Sequence, residues 1–119
     1  MLNLNSVMIG TTQPQVMVEF YEKIFGKPAD MIDQENGFWG WQLGSAYLGI
    51  LNHSEMVGSA RDAGRIMINF ETPEVKDEFR RILSLGAKAA HPPYEMGSGW
   101  VATLIDPDGN YFQLMSPMG

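Results

Sequence analysis

Few residues in this sequence could carry out chemistry. The chain has 119 residues, of which two are histidines, His53 and His91, and none is cysteine. The lack of cysteine excludes disulfides, thiolate metal sites and a cysteine nucleophile, so a metal would need His, Asp or Glu ligands. Ser6 has no histidine near it in sequence, and Gly97-Ser98-Gly99 leads into a strand-like segment. Neither a serine nucleophile with its base nor a phosphate-binding loop is therefore predicted.

Aromatic residues are the second source of binding chemistry. Trp39 and Trp41 are two apart in one strand-like segment, which predicts that they share a face of a sheet, and Trp100 lies in a later segment of the same kind. Large flat rings offer stacking surfaces to a planar ligand. Buried aromatic residues more often fill a core, and that is the competing interpretation of each ring taken alone.

Composition limits the class of partner. Apolar residues make up 45% of the chain and aromatic residues 11%, which suits one globular domain with a packed core. The formal net charge of −6 disfavours nucleic acid and anionic membranes, and it favours a neutral or cationic small molecule. The sequence has no apolar run long enough to span a membrane and no signal peptide, so we expect a soluble, cytoplasmic protein.

The elements that must position these residues follow a β-α-β-β-β order in the first half. Alternating residues in Leu2–Gly10 predict a strand, and Thr12-Gln13-Pro14-Gln15 has the pattern of a helix N-cap with a capping box. Apolar residues at helical spacing follow, and Gly26 ends the helix. The turns after it predict three short strands, at Ala29–Gln34, Phe38–Leu43 and Ala46–His53.

The second half repeats this order after a connector at residues 54–64. Thr72-Pro73 begins its helix and Gly86 ends it, and both Thr12 to Thr72 and Gly26 to Gly86 span 60 residues. A common offset indicates an internal duplication. The predicted fold is a single α+β domain of two βαβββ modules, residues 1–53 and 65–119. The strands of the second module are predicted at Arg65–Glu71, Ala87–Ala90, Gly99–Asp106 and Asn110–Ser116, with Asp106-Pro107-Asp108-Gly109 as the last turn.

Three segments carry a resemblance to a known family. Val16–Gly26 is similar to the family's first helix, Phe79–Gly86 to the end of its second helix, and Asp106–Leu114 to its Asp-Pro-Asp-Gly-Asn turn and last strand. The sequence resembles the glyoxalase/bleomycin-resistance/extradiol-dioxygenase superfamily, also called vicinal oxygen chelate proteins. This resemblance implies curled sheets that form a concave cleft, helices on the outer face, and a homodimer.

The resemblance also identifies the positions where the family's enzymes hold a divalent metal. They fall on Ser6, Gly49, Met67 and Gln113 of this sequence. None of these side chains is a competent ligand for a hard dication, so no metal and no cofactor are predicted. His53 is the one histidine expected near the cleft, and it would matter only for a displaced metal site.

Side-chain alternation from those four positions predicts the residues that line the cleft. We predict that a planar aromatic ligand, neutral or cationic, stacks on Trp39, Trp41, Trp100 and Tyr47, while Asn69 and Gln113 orient it by hydrogen bonds. Asp30, Asp33 and Glu35 are expected to add negative potential at one mouth. The remaining predicted lining residues are Ser6, Met8, Leu51, Met67, Tyr111 and Met115.

The predicted function is stoichiometric capture of a bulky antibiotic or natural product, as in the bleomycin-resistance-like branch that the sequence resembles. A metal-dependent lyase, isomerase or dioxygenase with a displaced site around His53 is the alternative. A third possibility is a structural or regulatory dimer whose cleft is closed by its own side chains.

Overall fold

The computed structural model of the protein describes residues 1–117, and Met118 and Gly119 of the predicted second module lie outside the described residues. The chain divides into two compact units, Met1–Gly58 and Ser59–Gly119. The boundary between them falls inside the connector predicted at residues 54–64. No helix of the described part combines the length and apolar character that crossing a membrane requires.

The first unit is a four-stranded sheet with one helix. The sheet order is β1-β4-β3-β2, with β1 parallel to β4 and the other pairs antiparallel. Successive side chains of a strand point to opposite faces of the sheet, and this explains the core. Leu48 and Ile50 of one strand are buried, while their neighbours face the other way. The elements are β1 (Ser6–Thr11), α1 (Pro14–Phe25), β2 (Met31–Asp33), β3 (Phe38–Leu43) and β4 (Ala46–Asn52).

The second unit repeats this topology. Its sheet order is β5-β8-β7-β6, with β5 parallel to β8. Phe112 and Leu114 are buried on the side that carries α2, with the Phe70 ring packed against Phe112. The predicted α+β fold of two βαβββ modules is confirmed. The elements are β5 (Ile68–Glu71), α2 (Val75–Ser84), β6 (Lys88–Met96), β7 (Gly99–Ile105) and β8 (Tyr111–Met115).

Both helices are preceded by the same hydrogen bond, from a backbone amide to a threonine hydroxyl, and this differs from the predicted capping box. The N-cap of α1 is Gln13, without a side-chain cap, and the Gln13 amide donates to Thr11 Oγ1 at 3.0 Å. At α2 the Glu74 amide donates to Thr72 Oγ1 at 3.1 Å. The prediction of Thr12 as the N-cap was therefore wrong, because Gln13 is the N-cap and Thr11 is the threonine that accepts the hydrogen bond. Gly26 ends α1 in the left-handed conformation, with φ of 72°, as its position predicts.

The duplicated frame is 61 residues through most of this region. Thr11 corresponds to Thr72, Val18 to Phe79 and Tyr21 to Ile82, and the last four are buried on the two helices. The offset is 60 only at the two glycines after the helices. The two glycines are not equivalent in position, because Gly26 is the C-cap of α1 whereas Leu85 is the C-cap of α2 and Gly86 follows it.

The largest departure from the predicted elements is β6. The sequence predicted a strand over Ala87–Ala90, but β6 runs over Lys88–Met96 and includes Pro92 and Pro93. Proline lacks the N–H that a central strand needs, which is why the prediction stopped there. As an edge strand, β6 tolerates it, with two register shifts against β7.

Candidate ligand-binding faces

Trp39 and Trp41 lie on the helix side of the first sheet, so their predicted place on the face opposite the helices was wrong. Trp41 is fully buried, its ring centroid lies 5.4 Å from that of Phe25 in α1, and its indole N–H donates to the Lys27 carbonyl at 3.1 Å. The register of the β3–β4 hairpin pairs Trp41 with Leu48, and Trp39 two residues away shares its face. Alternation within each strand does not fix that register, and this caused the error.

Trp100 also faces the helix of its unit. Lys76 of α2 places its Nζ 3.6 Å from the centroid of the Trp100 ring, a cation–π contact. Trp100 is two residues from buried Ala102 on the same side of β7. The predicted stacking role of all three tryptophans is therefore not supported by their positions.

The face of the first sheet opposite α1, called here the ring face, carries two aromatic rings that lie over glycines. A Cβ added to Gly40 would come within 2.5 Å of the Tyr47 ring and hydroxyl. A Cβ added to Gly49 would lie 2.8 Å from Phe38 Cε2. Both rings therefore rest on bare backbone and are half-buried. Phe38 was missed by the sequence reasoning, although the same hairpin register would have placed it here.

The other predicted residues of the first unit surround these rings. Ser6 is the register partner of Tyr47, and Leu51 is the partner of Phe38; both are half-buried. Met8 is 51% exposed, with its Cγ 3.5 Å from the Cβ position of Gly49. The ring face is thus largely apolar.

One carboxylate belongs to the ring face. Asp33 of β2 is the register partner of Phe38 and so lies beside it on the same side of the sheet. The Asn36 side chain donates to Asp33 Oδ2 at 2.8 Å and the Asn36 amide to Oδ1 at 3.2 Å, and these bonds lower the pKa of Asp33. The ring face therefore carries a fixed negative charge at neutral pH.

The face of the second sheet opposite α2, called here the polar face, has different chemistry. Asn69 pairs with Gln113, Gln113 with Thr103, and Thr103 with His91, so one row crosses all four strands. The Gln113 amide Nε2 donates to Thr103 Oγ1 at 3.0 Å. The structure brings the predicted Asn69 and Gln113 together with two residues that the sequence reasoning did not assign to the site.

The next row of this face begins at a carboxylate, because Glu71 pairs with Met115, and it is apolar or aromatic on its other three strands. Met115 pairs with Val101, and Val101 with Tyr94, whose ring makes an edge contact with His91 at 4.6 Å between centroids. Of the other predicted residues, Tyr111 pairs with Ile105 at the far end of the face, and Met67 precedes β5 and is 40% exposed.

Comparison with known proteins identifies the family. A family model described as a glyoxalase-like domain matches residues 6–115. This chain belongs to the glyoxalase-like domain family. No match was found among curated proteins.

Solved structures share the fold of this glyoxalase-like chain at low identity. A glyoxalase/bleomycin resistance protein/dioxygenase family enzyme from Burkholderia phytofirmans PsJN is 24% identical, with a TM-score of 0.75 over 98% of this chain and 100% of the other. A glyoxalase-related enzyme from Fulvimarina pelagi is 16% identical, with a TM-score of 0.80 over 100% and 94%. A glyoxalase/bleomycin resistance protein from Albidiferax ferrireducens T118 is 20% identical, with a TM-score of 0.75 over 96% and 98%.

The residues present do not fit the divalent metal of the superfamily's enzymes. Gly49 has no side chain, and Gln113 is a neutral amide already bonded to Thr103. Among residues 1–117, no three His, Asp or Glu side chains converge as a metal would require. His53 Nδ1 instead accepts a hydrogen bond from the Glu55 amide at 3.2 Å, within a local turn.

Proposed function

We propose that this glyoxalase-like chain is a non-catalytic binding protein that captures a planar aromatic molecule, of the antibiotic or natural-product class, on the ring face of its first unit. The observation that carries this proposal is the pair of half-buried rings, Phe38 and Tyr47, resting on Gly49 and Gly40. Rings supported by bare backbone present a flat apolar surface, and planar ligands stack on such surfaces.

The charge beside the rings supports a cationic ligand. Asp33 is held as a carboxylate next to Phe38, and the whole chain has a net charge of −6. A cation above an aromatic ring is attracted by the ring itself as well as by the carboxylate. Protection by such a protein would be mass action, because each bound molecule is withdrawn from solution without turnover.

Capture on the ring face can be tested with doxorubicin, a planar aromatic cation. A ligand that binds only the folded state at 100 times its dissociation constant raises the free energy of unfolding by about 2.7 kcal/mol. We expect a thermal shift of the wild-type protein with doxorubicin, loss of most of that shift in Phe38→Leu and Tyr47→Leu, and retention in Tyr94→Leu. Tyr94 is the matched control because it lies on the polar face of the other unit.

Two results would reject this proposal. One is a shift that Phe38→Leu and Tyr47→Leu leave intact, because the ligand would then be elsewhere. The other is a lack of response to doxorubicin and to bleomycin together with a response to divalent metal ions, which would favour the enzyme alternative. Sedimentation of the same samples tests the homodimer, which stays a prediction.

A further inference from the structure

Methionines stand at both ends of one row on the ring face. This row crosses the four strands of the first sheet, and its members in register are Met8, Gly49, Gly40 and Met31. Met8 is 51% exposed and Met31 is 55% exposed. The equivalent row of the second unit contains no methionine, since its members are Asn69, Gln113, Thr103 and His91. The fold therefore does not require thioethers at these positions.

Met8 and Phe38 meet over the same glycine. The atoms nearest to the Cβ position of Gly49 are Phe38 Cε2 at 2.8 Å, Phe38 Cζ at 3.1 Å and Met8 Cγ at 3.5 Å. The Met8 sulfur is one bond away from this Cγ. A thioether beside an aromatic ring makes a favourable contact, and both groups are apolar. The Met8 side chain is therefore part of the surface on which a planar ligand would stack, and a change at its sulfur affects the surroundings of the Phe38 ring.

The half-exposed sulfur of Met8 is open to oxidation. A hydroperoxide such as hydrogen peroxide transfers one oxygen atom to a thioether. The sulfur lone pair forms the S–O bond, the O–O bond breaks, and the leaving hydroxide takes the proton of the transferred group to become water. The product is a polar, chiral sulfoxide in place of a flexible apolar group. Methionine sulfoxide reductases return it to the thioether, so the change is reversible.

Exposure and position separate Met8 from other methionines of the chain. Met17 of α1 is fully buried, so a peroxide reaches its sulfur only when the structure around it opens. Met96 is 56% exposed, but it lies at the end of β6 in the other unit. Met8 combines exposure with a contact to Phe38, a ring that the proposed ligand uses.

We propose that Met8 is a reversible oxidation site that controls the ring face. Its sulfoxide places a polar oxygen beside Phe38, where the ring rests on Gly49, and so lowers the affinity of this face for a planar aromatic molecule. Covering a polar group without giving it a hydrogen bond costs free energy, and a stacked ring offers it no donor. This inference rests on the proposed function and adds its regulation, because an oxidant releases the ligand and reduction restores capture.

The first measurement uses the protein without a ligand. The wild type, Met8→Leu and Met96→Leu are treated with hydrogen peroxide, the excess is removed with catalase, and peptide mass spectrometry measures the sulfoxide at each methionine. We expect oxidation of Met8 and Met96 in the wild type, while the buried Met17 stays reduced. The proton NMR signals of the Phe38 ring, identified by their loss in Phe38→Leu, should respond to peroxide in the wild type and in Met96→Leu but not in Met8→Leu.

Doxorubicin binding by the same samples measures the effect on capture. Oxidation should weaken binding about tenfold in the wild type and in Met96→Leu, and less than about twofold in Met8→Leu. Met8→Gln, which has a polar side chain of similar length, should bind more weakly than the wild type without any peroxide. Treatment of the oxidised wild type with methionine sulfoxide reductases should restore its affinity.

Failure of this inference differs from failure of the proposed function. A lack of doxorubicin binding by the untreated protein rejects the proposed function, and the Phe38 signals measured without ligand then decide the role of Met8. Normal binding by the untreated protein, with unchanged affinity after full oxidation of Met8, overturns the inference and leaves the proposed function standing. An equal loss of affinity in treated Met8→Leu and treated wild type overturns it as well.

Discussion

Gly40 and Gly49 determine where two aromatic rings lie in the first unit. Neither glycine has a positive φ, so their role is to leave space and not to permit an unusual backbone. Both are buried beneath a ring, and a methyl group at either position would overlap the ring above it. Gly49, one of the positions where the resemblance places a metal ligand, has no side chain and so provides the support for Phe38.

Gly49→Ala and Gly40→Ala should therefore displace the rings at a small cost in stability. The contacts involve the far ends of the rings, which can move, so we expect a loss of about 1 kcal/mol in the free energy of unfolding and a larger loss of doxorubicin affinity. Gly64→Ala is the control, because its Cβ would meet Tyr111 at an ordinary 3.5 Å. Urea unfolding and calorimetry measure the two effects. Unchanged affinity in Gly40→Ala would contradict the role given to Tyr47.

Trp41 illustrates the opposite case, a large aromatic residue whose role is structural. Trp41→Phe removes the hydrogen bond to the Lys27 carbonyl and part of the ring volume, and it should lower the free energy of unfolding by about 2 to 3 kcal/mol. Ligand affinity should stay at the wild-type value because the ring lies on the helix side. A fall in affinity as large as that of Tyr47→Leu would place Trp41 back in the site.

At the scale of elements, the two helices begin after the same kind of hydrogen bond. In each unit a threonine at the end of the first strand accepts the amide two residues later, just before the helix. The sequence showed that helices begin near Thr12 and Thr72, but not which threonine of Thr11-Thr12 is the acceptor. Local spacing allows either, and the structure selects the buried Thr11.

Thr11→Val should weaken the first helix while keeping the side chain's shape. We expect a loss of about 1 kcal/mol in the free energy of unfolding, since the Gln13 amide loses its acceptor. Thr12→Val is the matched control, because Thr12 is exposed. It should change the free energy of unfolding by less than about 0.5 kcal/mol. Thermal unfolding of the two variants side by side measures this difference in stability. Equal losses of stability would contradict the assignment of Thr11 as the acceptor of the Gln13 amide.

Element boundaries and element pairing differ in how far the sequence predicts them. Most strands and both helices follow from periodicity, with β3 placed to the residue. The faces of Trp39 and Trp41 did not follow, because pairing register is set between strands and not within one. The strand at Ala87–Ala90 was predicted too short for a related reason, since only the edge position of β6 makes two prolines compatible with a strand.

At the scale of the whole molecule, the acidic composition couples stability to pH. The chain has 14 acidic and eight basic residues. Asp30 accepts the Gln42 amide at 2.7 Å and pairs with Lys27 at 3.0 Å, and these contacts lower its pKa, with the Gln42 bond the largest cause. A carboxylate whose pKa is lower in the folded state stabilises the fold above its unfolded pKa, about 4, and loses that effect as the pH falls through the folded value.

Asp30→Asn should therefore be less stable than the wild type at pH 6, with the difference shrinking as the pH falls below about 4. The urea midpoint, measured from pH 6 to pH 2.5, follows both proteins through this window. Asp62→Asn serves as a control at an exposed ion pair and should change the profile little. A difference between Asp30→Asn and the wild type that does not depend on pH would show that the effect is not one of charge.

The equivalent rows of the two sheets have a consequence for how such a chain diversifies. After duplication, each half inherits the same frame, and one side chain per strand decides the chemistry of a row. In the first half that row became methionine and glycine, and in the second half amide, hydroxyl and imidazole. Each half can therefore change the chemistry of its row by substituting one side chain per strand, without altering the strand pairing of the other half.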